Sequence, residues 1–412
     1  MIMTDDKYLS DIAVYVITKK VSHRSEMLLN LNMVYNKVVL ITCEDEKVGE
    51  PHILIKPFPN PTALLRLAGF NNLKKKADKY LFFPSTINLC NVSAKIILKK
   101  NIQKDLNANL RVCIITCTPP HGLALLGLYI KEKFQEIKWI IDWQDLWSYD
   151  EFYLNLTPNF YRKKLIKLEQ TLLNTCDLNL TTNYKASEIL SCHYGINQNK
   201  IRDINHPYDA DELNHLSYRS ANPPPSLQIK DSISIGFLGT LSKPPKVPGL
   251  RVLKAIDDCV EGNLNIKFQI FGDTTKLTKN SVNKMRHNCV IIHKPTSHIE
   301  CLKKIAKCDF LLITLSDSPN CNVIMHAKLP HYLMLKKPIL ALVPTESFVG
   351  EVIKNSGAGF VISPNTDWGD ELQKLLSLFK KGKLTIRRNE DYISKFSWDE
   401  TSKRWIDAIN LN

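Results

Sequence analysis

A loop rich in lysine and proline is the first segment whose residues could bind an anion. It follows a predicted strand that ends at Gly239 and precedes a predicted helix. Thr240, Lys243 and Lys246 place one hydroxyl and two ammonium groups on this loop. Cationic side chains and the free N–H groups of a helix N-terminus together bind a diphosphate. Loops of this composition are also common as solvated turns, so both interpretations remain open.

A second candidate anion site lies at residues 327–333. Pro330 suits the first turn of a helix. Lys328 and His331 then fall in that same turn, where a phosphate would meet two side-chain donors as well as backbone N–H groups. The spacing fits equally well a solvated lysine at the start of a helix and a half-buried, hydrogen-bonded histidine.

The N-terminal half carries a third cluster, formed by His121, Asp142 and Asp145. His121 follows a strand and a Pro-Pro turn, and the two aspartates surround the end of the next predicted strand. Parallel strands end at the same edge of a sheet, so these side chains are expected to converge there. An imidazole and carboxylates could hold sugar hydroxyls or accept a proton. A lone histidine after such a turn is more often structural.

These candidates are positioned by a β-rich run followed by a helical stretch, a pattern that recurs along both halves of the chain. The predicted strands are 12–17, 37–42, 111–116, 138–142, 178–182, 232–239, 266–272, 290–292, 309–315, 338–343 and 359–362. The pattern predicts an α/β protein of two facing Rossmann-like domains, with the ligand in the cleft between them. We assign 1–205 to the N-terminal domain, 206–228 to a proline-containing linker and 229–390 to the second domain.

Composition narrows the class of partner. The 412 residues include 55 Lys and Arg against 41 Asp and Glu, a net charge of +14. This excess favours an anionic partner, namely nucleic acid, a membrane surface or phosphorylated small molecules, although solvated helix faces would give the same count. No nucleic-acid-binding module accompanies the charge, so we expect no nucleic acid partner. The stretch 64–76 mixes apolar residues with three lysines, which predicts contact with an anionic membrane. An ordinary helix packed on its domain with a solvated basic end fits this stretch equally well.

Targeting signals and metal motifs are not readable in the sequence. No apolar run approaches the roughly 18 residues of a membrane span, and no signal peptide is readable. The eleven cysteines include no CxxC pair. The sequence therefore predicts a cytoplasmic protein with reduced cysteines and no metal site.

Several stretches, in this order along the chain, together resemble one known family. They are Thr-Pro-Pro-His at 118–121, Trp-Ile-Ile-Asp-Trp-Gln-Asp-Leu-Trp at 139–147, Ile-Gly-Phe-Leu-Gly-Thr at 235–240, the run 328–341 continued by Ser-Gly-Ala-Gly-Phe at 356–360, and Phe-Ser-Trp-Asp at 396–399. The chain resembles the GT-B nucleotide-sugar glycosyltransferases, specifically the retaining family 4 (group 1) type that builds bacterial surface polysaccharides and lipid-linked sugars.

The resemblance implies a retaining, metal-independent, hexosyltransferase-like enzyme without a cofactor. Its substrates would be a nucleotide diphosphate sugar and a lipid-linked or polysaccharide acceptor. Lys246 would grip the donor diphosphate and Lys328 would support it. Residues 391–412 would form a helix that returns to the N-terminal domain. Cell-envelope synthesis would place the protein in the cytoplasm, peripherally at the inner face of the plasma membrane.

Two departures from the family pattern concern its paired glutamates. Their positions, eight residues apart, are occupied here by Val323 and His331. His331 is predicted to take over the ribose contact, since a neutral imidazole can still exchange one hydrogen bond with a hydroxyl. The alternative is a catalytically silent homologue that serves as a binding subunit for an active transferase.

Overall fold

A computed structural model describes residues 9–44, 51–57, 60, 62, 70–84, 86–212, 231–241, 247–272 and 274–411. The chain divides into two compact units. The first unit contains Met1–Asn205 and Asp399–Asn412, and the second contains His206–Trp398. Lys243, Lys246 and residues 64–69 of the stretch 64–76 lie outside the described residues.

The first unit is built on a seven-stranded sheet in which every pair of neighbours is parallel. The strands are β1 Leu9–Ile17, β2 Tyr35–Thr42, β3 His52–Leu54, β4 Arg111–Thr118, β5 Lys138–Trp143, β6 Leu178–Thr181 and β7 Ile201–Asp203. The helices are α1 His23–Leu29, α2 Asn71–Leu81, α3 Asn88–Asn107, α4 Ala124–Lys133, α5 Glu151–Leu156, α6 Asn159–Thr175 and α7 Tyr184–Cys192. The strand order is β3-β2-β1-β4-β5-β6-β7.

The second unit has a six-stranded parallel sheet of order β10-β9-β8-β11-β12-β13. Its strands are β8 Ile233–Leu238, β9 Ile266–Phe271, β10 Val290–His293, β11 Phe310–Thr314, β12 Ile339–Leu342 and β13 Gly359–Ile362. Its helices are α8 Gly249–Glu261, α9 Lys276–Val282, α10 His298–Ile305, α11 Lys328–Met334, α12 Phe348–Ser356, α13 Trp368–Lys380 and α14 Glu390–Ser394. The last helix, α15 Trp398–Asn410, starts at the final residue of this unit and continues in the first.

Burial on both sheet faces explains the apolar runs that mark the strands. Every residue of β11 is buried, and so is every residue of β12. Helices cover both faces of such parallel sheets, which is why the strands read as continuous apolar sequences. Helix α12 has a residue at each end that favours starting or ending a helix. Ser347 accepts a hydrogen bond from the Gly350 backbone, and Gly357 ends the helix at a φ of 56°, a left-handed conformation that favours glycine.

The predicted α/β class with two Rossmann-like units is confirmed by these sheets. All eleven predicted strands are present, with ends displaced by a few residues. Two further strands, β3 and β7, were not predicted. Each has only three residues and lies at an edge of the sheet, which is too short for an apolar pattern to be recognised.

Strand order locates the ligand sites that this fold provides. In open parallel sheets a crevice opens at the carboxyl ends of the strands, where the strand order reverses. That point lies between β1 and β4 in the first unit and between β8 and β11 in the second. Each unit therefore has one expected crevice, and the candidate residues can be placed relative to it.

Candidate functional site

The crevice of the second unit gathers three of the predicted donor-binding residues. Gly239 and Thr240 directly follow β8, and Lys328 begins α11, which follows β11. Gly239 adopts a φ of 100°, a value that only glycine reaches easily, so the chain turns sharply at the sheet edge. The Lys328 side chain reaches across and donates from Nζ to the Leu238 carbonyl oxygen at 3.1 Å. Gly239, Thr240 and Lys328 therefore lie together at the strand-order reversal.

The surroundings of the Lys328 side chain disfavour its charged ammonium form. The Phe237 ring, whose centroid lies 3.7 Å from Nζ, favours the ammonium through a cation–π contact, but burial has the larger effect. Burial lowers the pKa of the Lys328 ammonium to about 7. Among the described residues no carboxylate lies within ion-pair distance of it. An anionic ligand would offset the cost of burying the ammonium, because a nearby negative charge favours the protonated form of lysine.

His331 is oriented by its neighbours inside the second unit. It is buried, and its Nδ1 lies 3.1 Å from the Ala327 carbonyl oxygen. Its Nε2 lies 3.7 Å from Glu212 Oε2, and its ring centroid is 4.8 Å from that of His298. A carbonyl oxygen only accepts, so Nδ1 carries the proton and Nε2 faces the carboxylate. The predicted ribose contact from His331 would require this ring to turn away from Glu212.

The predicted cluster of the first unit lies at the carboxyl ends of β4 and β5. His121 is buried and stacks on Trp147, with ring centroids 5.0 Å apart and planes at 7°. Its Nε2 donates to the Asp145 backbone oxygen at 2.9 Å. The Asp145 carboxylate is half-buried and accepts from Tyr153 Oη at 3.0 Å. Burial, reinforced by the Asp145 carboxylate, raises the pKa of Tyr153, so this phenol stays a donor.

Asp142 lies in a different environment from Asp145. Its oxygens accept from Arg24 Nη2 at 2.7 Å and Nε at 2.8 Å, and Gln144 Nε2 donates to Oδ2 at 3.0 Å. Arg24 also donates to the Ile204 and Asn205 carbonyl oxygens. The Arg24 and Asp142 side chains are 1% and 0% exposed. A carboxylate enclosed in this way positions the end of β5 and is poorly placed to accept a proton from a substrate, which argues against the predicted catalytic role of Asp142.

Glu169 is a site-supporting residue that the sequence analysis missed. It is buried and accepts from the Trp147 and Ser148 backbone N–H groups, each at 3.0 Å. Burial raises the pKa of this carboxyl. The signal was available, because Glu169 falls on the apolar face of α6 between Leu165 and Leu172. It holds the loop after β5 that carries Asp145.

Comparison with known proteins gives a fold and no sequence family. No protein-family model and no curated protein sequence matches the chain. A glycosyltransferase from Rickettsia africae ESF-5 aligns with a TM-score of 0.59 and 15% identity over 98% of both chains. Anabaena Alr3699/HepE, in complex with UDP and glucose, aligns with a TM-score of 0.61 and 11% identity over 97% of this chain and 99% of that one.

A third solved structure belongs to a different class of nucleotide-sugar enzyme. The UDP-GlcNAc 2-epimerase from Methanocaldococcus jannaschii aligns with a TM-score of 0.56 and 14% identity over 97% of this chain and 99% of that one. Identities this low establish a shared fold alone. The chain has the GT-B fold. In the described residues, no helix combines the length and apolar character that crossing a membrane requires.

Proposed function

We propose that this chain transfers a sugar, with retention, from a nucleotide diphosphate sugar to a lipid-linked or polysaccharide acceptor. The observation that carries the proposal is Lys328, a lysine held at the strand-order reversal of the second unit without a described carboxylate partner. The solved structures with this fold include one in complex with UDP and glucose and one bound with UDP-2-fluoro glucose. We infer that the donor diphosphate occupies the crevice beside Gly239, Thr240 and Lys328.

Departure of the nucleoside diphosphate is the step that this site would assist. Cleavage of the sugar–phosphate bond leaves additional negative charge on the diphosphate. A preorganised cation stabilises that charge more strongly in a partly dry site than in water. We assign this role to Lys328, together with Lys246 and Lys243 of the neighbouring loop, and the proposed transfer step needs no metal ion.

On the acceptor side, Asp145 is the carboxylate we assign to substrate contact. It is only half-buried, whereas Asp142 is fully enclosed by Arg24. His121 donates to the Asp145 backbone and Tyr153 donates to its carboxylate, so the two together fix the orientation of Asp145. We propose that Asp145 accepts a hydrogen bond from the acceptor and that His121 is a positioning residue.

Replacing Lys328 with alanine is expected to weaken UDP binding by about 10- to 100-fold, since a charge-assisted hydrogen bond contributes roughly 1.5–3 kcal/mol. The fold should persist, because Lys328 donates only one described hydrogen bond. Isothermal titration calorimetry measures the affinity. Lys354→Ala, at an exposed lysine on α12 of the same unit, is the matched control and should bind UDP like the wild type. Equal affinity in all three proteins would contradict the assignment.

Attachment to an anionic membrane is proposed for the first unit. Besides the predicted stretch 64–76, helix α3 exposes Ile96, at 74%, next to Lys99 and Lys100. Apolar and basic residues on one helix face favour an anionic lipid surface. Such attachment would place the protein at the cytoplasmic face of the membrane, close to a lipid-linked acceptor.

Vesicle co-sedimentation tests the membrane proposal. Binding is expected to vesicles containing anionic lipid and not to neutral ones. It should fall at least several-fold in Lys99→Glu/Lys100→Glu and in a variant with Lys74, Lys75 and Lys76 replaced by glutamate. Lys380→Glu/Lys381→Glu makes the same charge change at exposed positions of the second unit and should bind like the wild type. Undiminished binding by both first-unit variants would refute the proposal.

The silent-subunit alternative is favoured by the residues at the paired-glutamate positions. Val323 offers no hydrogen bond from its side chain, and His331 faces Glu212. A silent homologue would bind nucleotide sugar without releasing nucleoside diphosphate in the presence of acceptor. Measured release separates the two functions.

A further inference from the structure

We propose that Glu212, His298 and His331 form a binding site for one divalent transition-metal ion of the zinc class. A carboxylate oxygen and one nitrogen from each imidazole all lie within 4.8 Å of one another. Two imidazoles and one carboxylate are a ligand set that zinc accepts. The site lies entirely within the second unit.

An ion would bind after the three side chains move closer together. Glu212 Oε2 lies 3.7 Å from His331 Nε2, and Glu212 Oε1 lies 3.8 Å from His298 Nε2. Metal–ligand bonds of about 2.0–2.2 Å in a tetrahedral site place neighbouring ligand atoms roughly 3.3–3.6 Å apart. The two measured distances end on different oxygens of Glu212, and the three ligand atoms lie within 4.8 Å of one another. Side-chain rotations that shorten the widest separation by up to about 1 Å would therefore bring both imidazoles to bonding distance.

Hydrogen bonding prepares His331 to be a ligand. Its Nδ1–H donates to the Ala327 carbonyl oxygen at 3.1 Å, which leaves the lone pair on Nε2 directed towards Glu212. Histidines that bind metals usually donate their other ring N–H to a carbonyl or carboxylate in this way. A hydrogen bond made by Nδ1 therefore already fixes the tautomer that metal binding needs.

Burial favours a cation at this position. The side chains of Glu212 and His331 are only 9% and 5% exposed, whereas His298 is 40% exposed. A carboxylate removed from water is stabilised by a bound cation, and a divalent ion would be the largest local charge. His298 lies at the solvent side, so an ion can enter past it, and water can complete the coordination.

Three distant chain segments would be joined by the ion. His298 is the first residue of α10 and His331 lies within α11, two helices that start at the carboxyl edge of the sheet. Glu212 follows the segment in which the Tyr208 backbone N–H donates to the Phe396 carbonyl oxygen. The ion would thus cross-link this segment to both helices, a role separate from that of Lys328 in binding the diphosphate.

Cobalt titration tests the site on the intact chain. Co²⁺ is the probe because thiolate ligands produce an intense near-ultraviolet charge-transfer band that imidazole and carboxylate ligands do not. One equivalent is expected to bind without that band. His298→Ala should fold, because His298 is the most exposed of the three ligands. This substitution is expected to lower the affinity for Co²⁺ at least tenfold. Glu212→Gln should do the same, since a neutral amide is a much weaker ligand.

His287→Ala is the matched control. His287 Nδ1 lies 2.9 Å from Asp257 Oδ1 in the same unit, a histidine–carboxylate pair outside the proposed site. It should bind Co²⁺ like the wild type. Zn²⁺ should also raise the Tm of the wild type and of His287→Ala but not that of His298→Ala, because an ion that binds only the native state stabilises it.

Three outcomes would contradict the proposed metal site. They are the absence of stoichiometric Co²⁺ binding, a thiolate band that accompanies binding, and unchanged Co²⁺ affinity in both His298→Ala and Glu212→Gln. Persistence of UDP binding in any of these cases would leave the proposed function standing. The two proposals therefore fail independently.

Discussion

Replacing Asp142 with asparagine is expected to lower the free energy of unfolding of the first unit by about 3–5 kcal/mol, the largest effect predicted for a single substitution. Arg24 would keep its charge while losing the carboxylate that accepts two of its four described hydrogen bonds, at 2.7 and 2.8 Å. A charged group left buried without its partner bears the full cost of desolvation. Urea denaturation followed by tryptophan fluorescence measures the change.

The first unit provides a matched control on its surface. Arg111 donates to Asp11 through Nε and Nη2 at 2.8 and 3.0 Å, the same two-bond arrangement. The two side chains are 54% and 52% exposed. Because exposed ion pairs contribute roughly 0–1 kcal/mol, Asp11→Asn should shift the unfolding transition little. Similar losses in the two variants would show that burial is not the cause.

Activity separates the structural role of Asp142 from a catalytic one. Arg24→Met combined with Asp142→Leu removes both charges, and it should recover much of the stability lost by Asp142→Asn. If Asp142→Asn instead keeps wild-type stability but loses nucleoside diphosphate release, Asp142 acts on the substrate and our interpretation of the ion pair is wrong.

The affinity for UDP is expected to fall about tenfold for each pH unit above roughly 7.5, or about 30-fold between pH 7.5 and 9. In the free protein, burial lowers the pKa of Lys328 to about 7, so the side chain is mostly neutral in this range. The bound diphosphate favours the ammonium and raises that pKa, so binding takes up a proton. The UDP phosphates are already ionised there, since a phosphate monoester loses its second proton near pH 6.

Calorimetry in two buffers of different ionisation enthalpy counts the protons directly. The wild type should take up close to one proton per UDP at pH 8. Lys328→Arg keeps its charge at every pH of the experiment, so its affinity should be nearly constant and its proton uptake near zero. A flat wild-type profile, or a slope that persists in Lys328→Arg, would remove Lys328 from the diphosphate site.

The fold was largely predictable because burial governs the strands. Parallel strands covered on both faces appear as apolar runs, and β11 and β12 are buried at every residue. The strands β3 and β7 were not predicted, because three residues are too few to show a periodic apolar pattern. Strand order is set by tertiary packing, which the sequence pattern does not contain.

The site was less predictable, because side-chain chemistry depends on partners far away in sequence. Asp142 and Asp145 are three residues apart in the sequence, yet one is enclosed by Arg24 and the other is half-buried beside Tyr153. Glu212, His298 and His331 come from three separate segments, and the sequence analysis looked for metal ligands only among cysteine pairs. Such clusters become visible only when the fold brings their segments together.

Nucleotide binding by the intact chain tests the central claim most directly. A panel of nucleoside diphosphates and their sugar conjugates, UDP and UDP-glucose included, should be screened by thermal shift and then titrated by calorimetry. We predict that at least one nucleotide binds with 1:1 stoichiometry, and that Lys328→Ala weakens this binding about 10- to 100-fold while Lys354→Ala does not. A folded wild-type chain that binds none of the panel at millimolar concentration would contradict the proposed function.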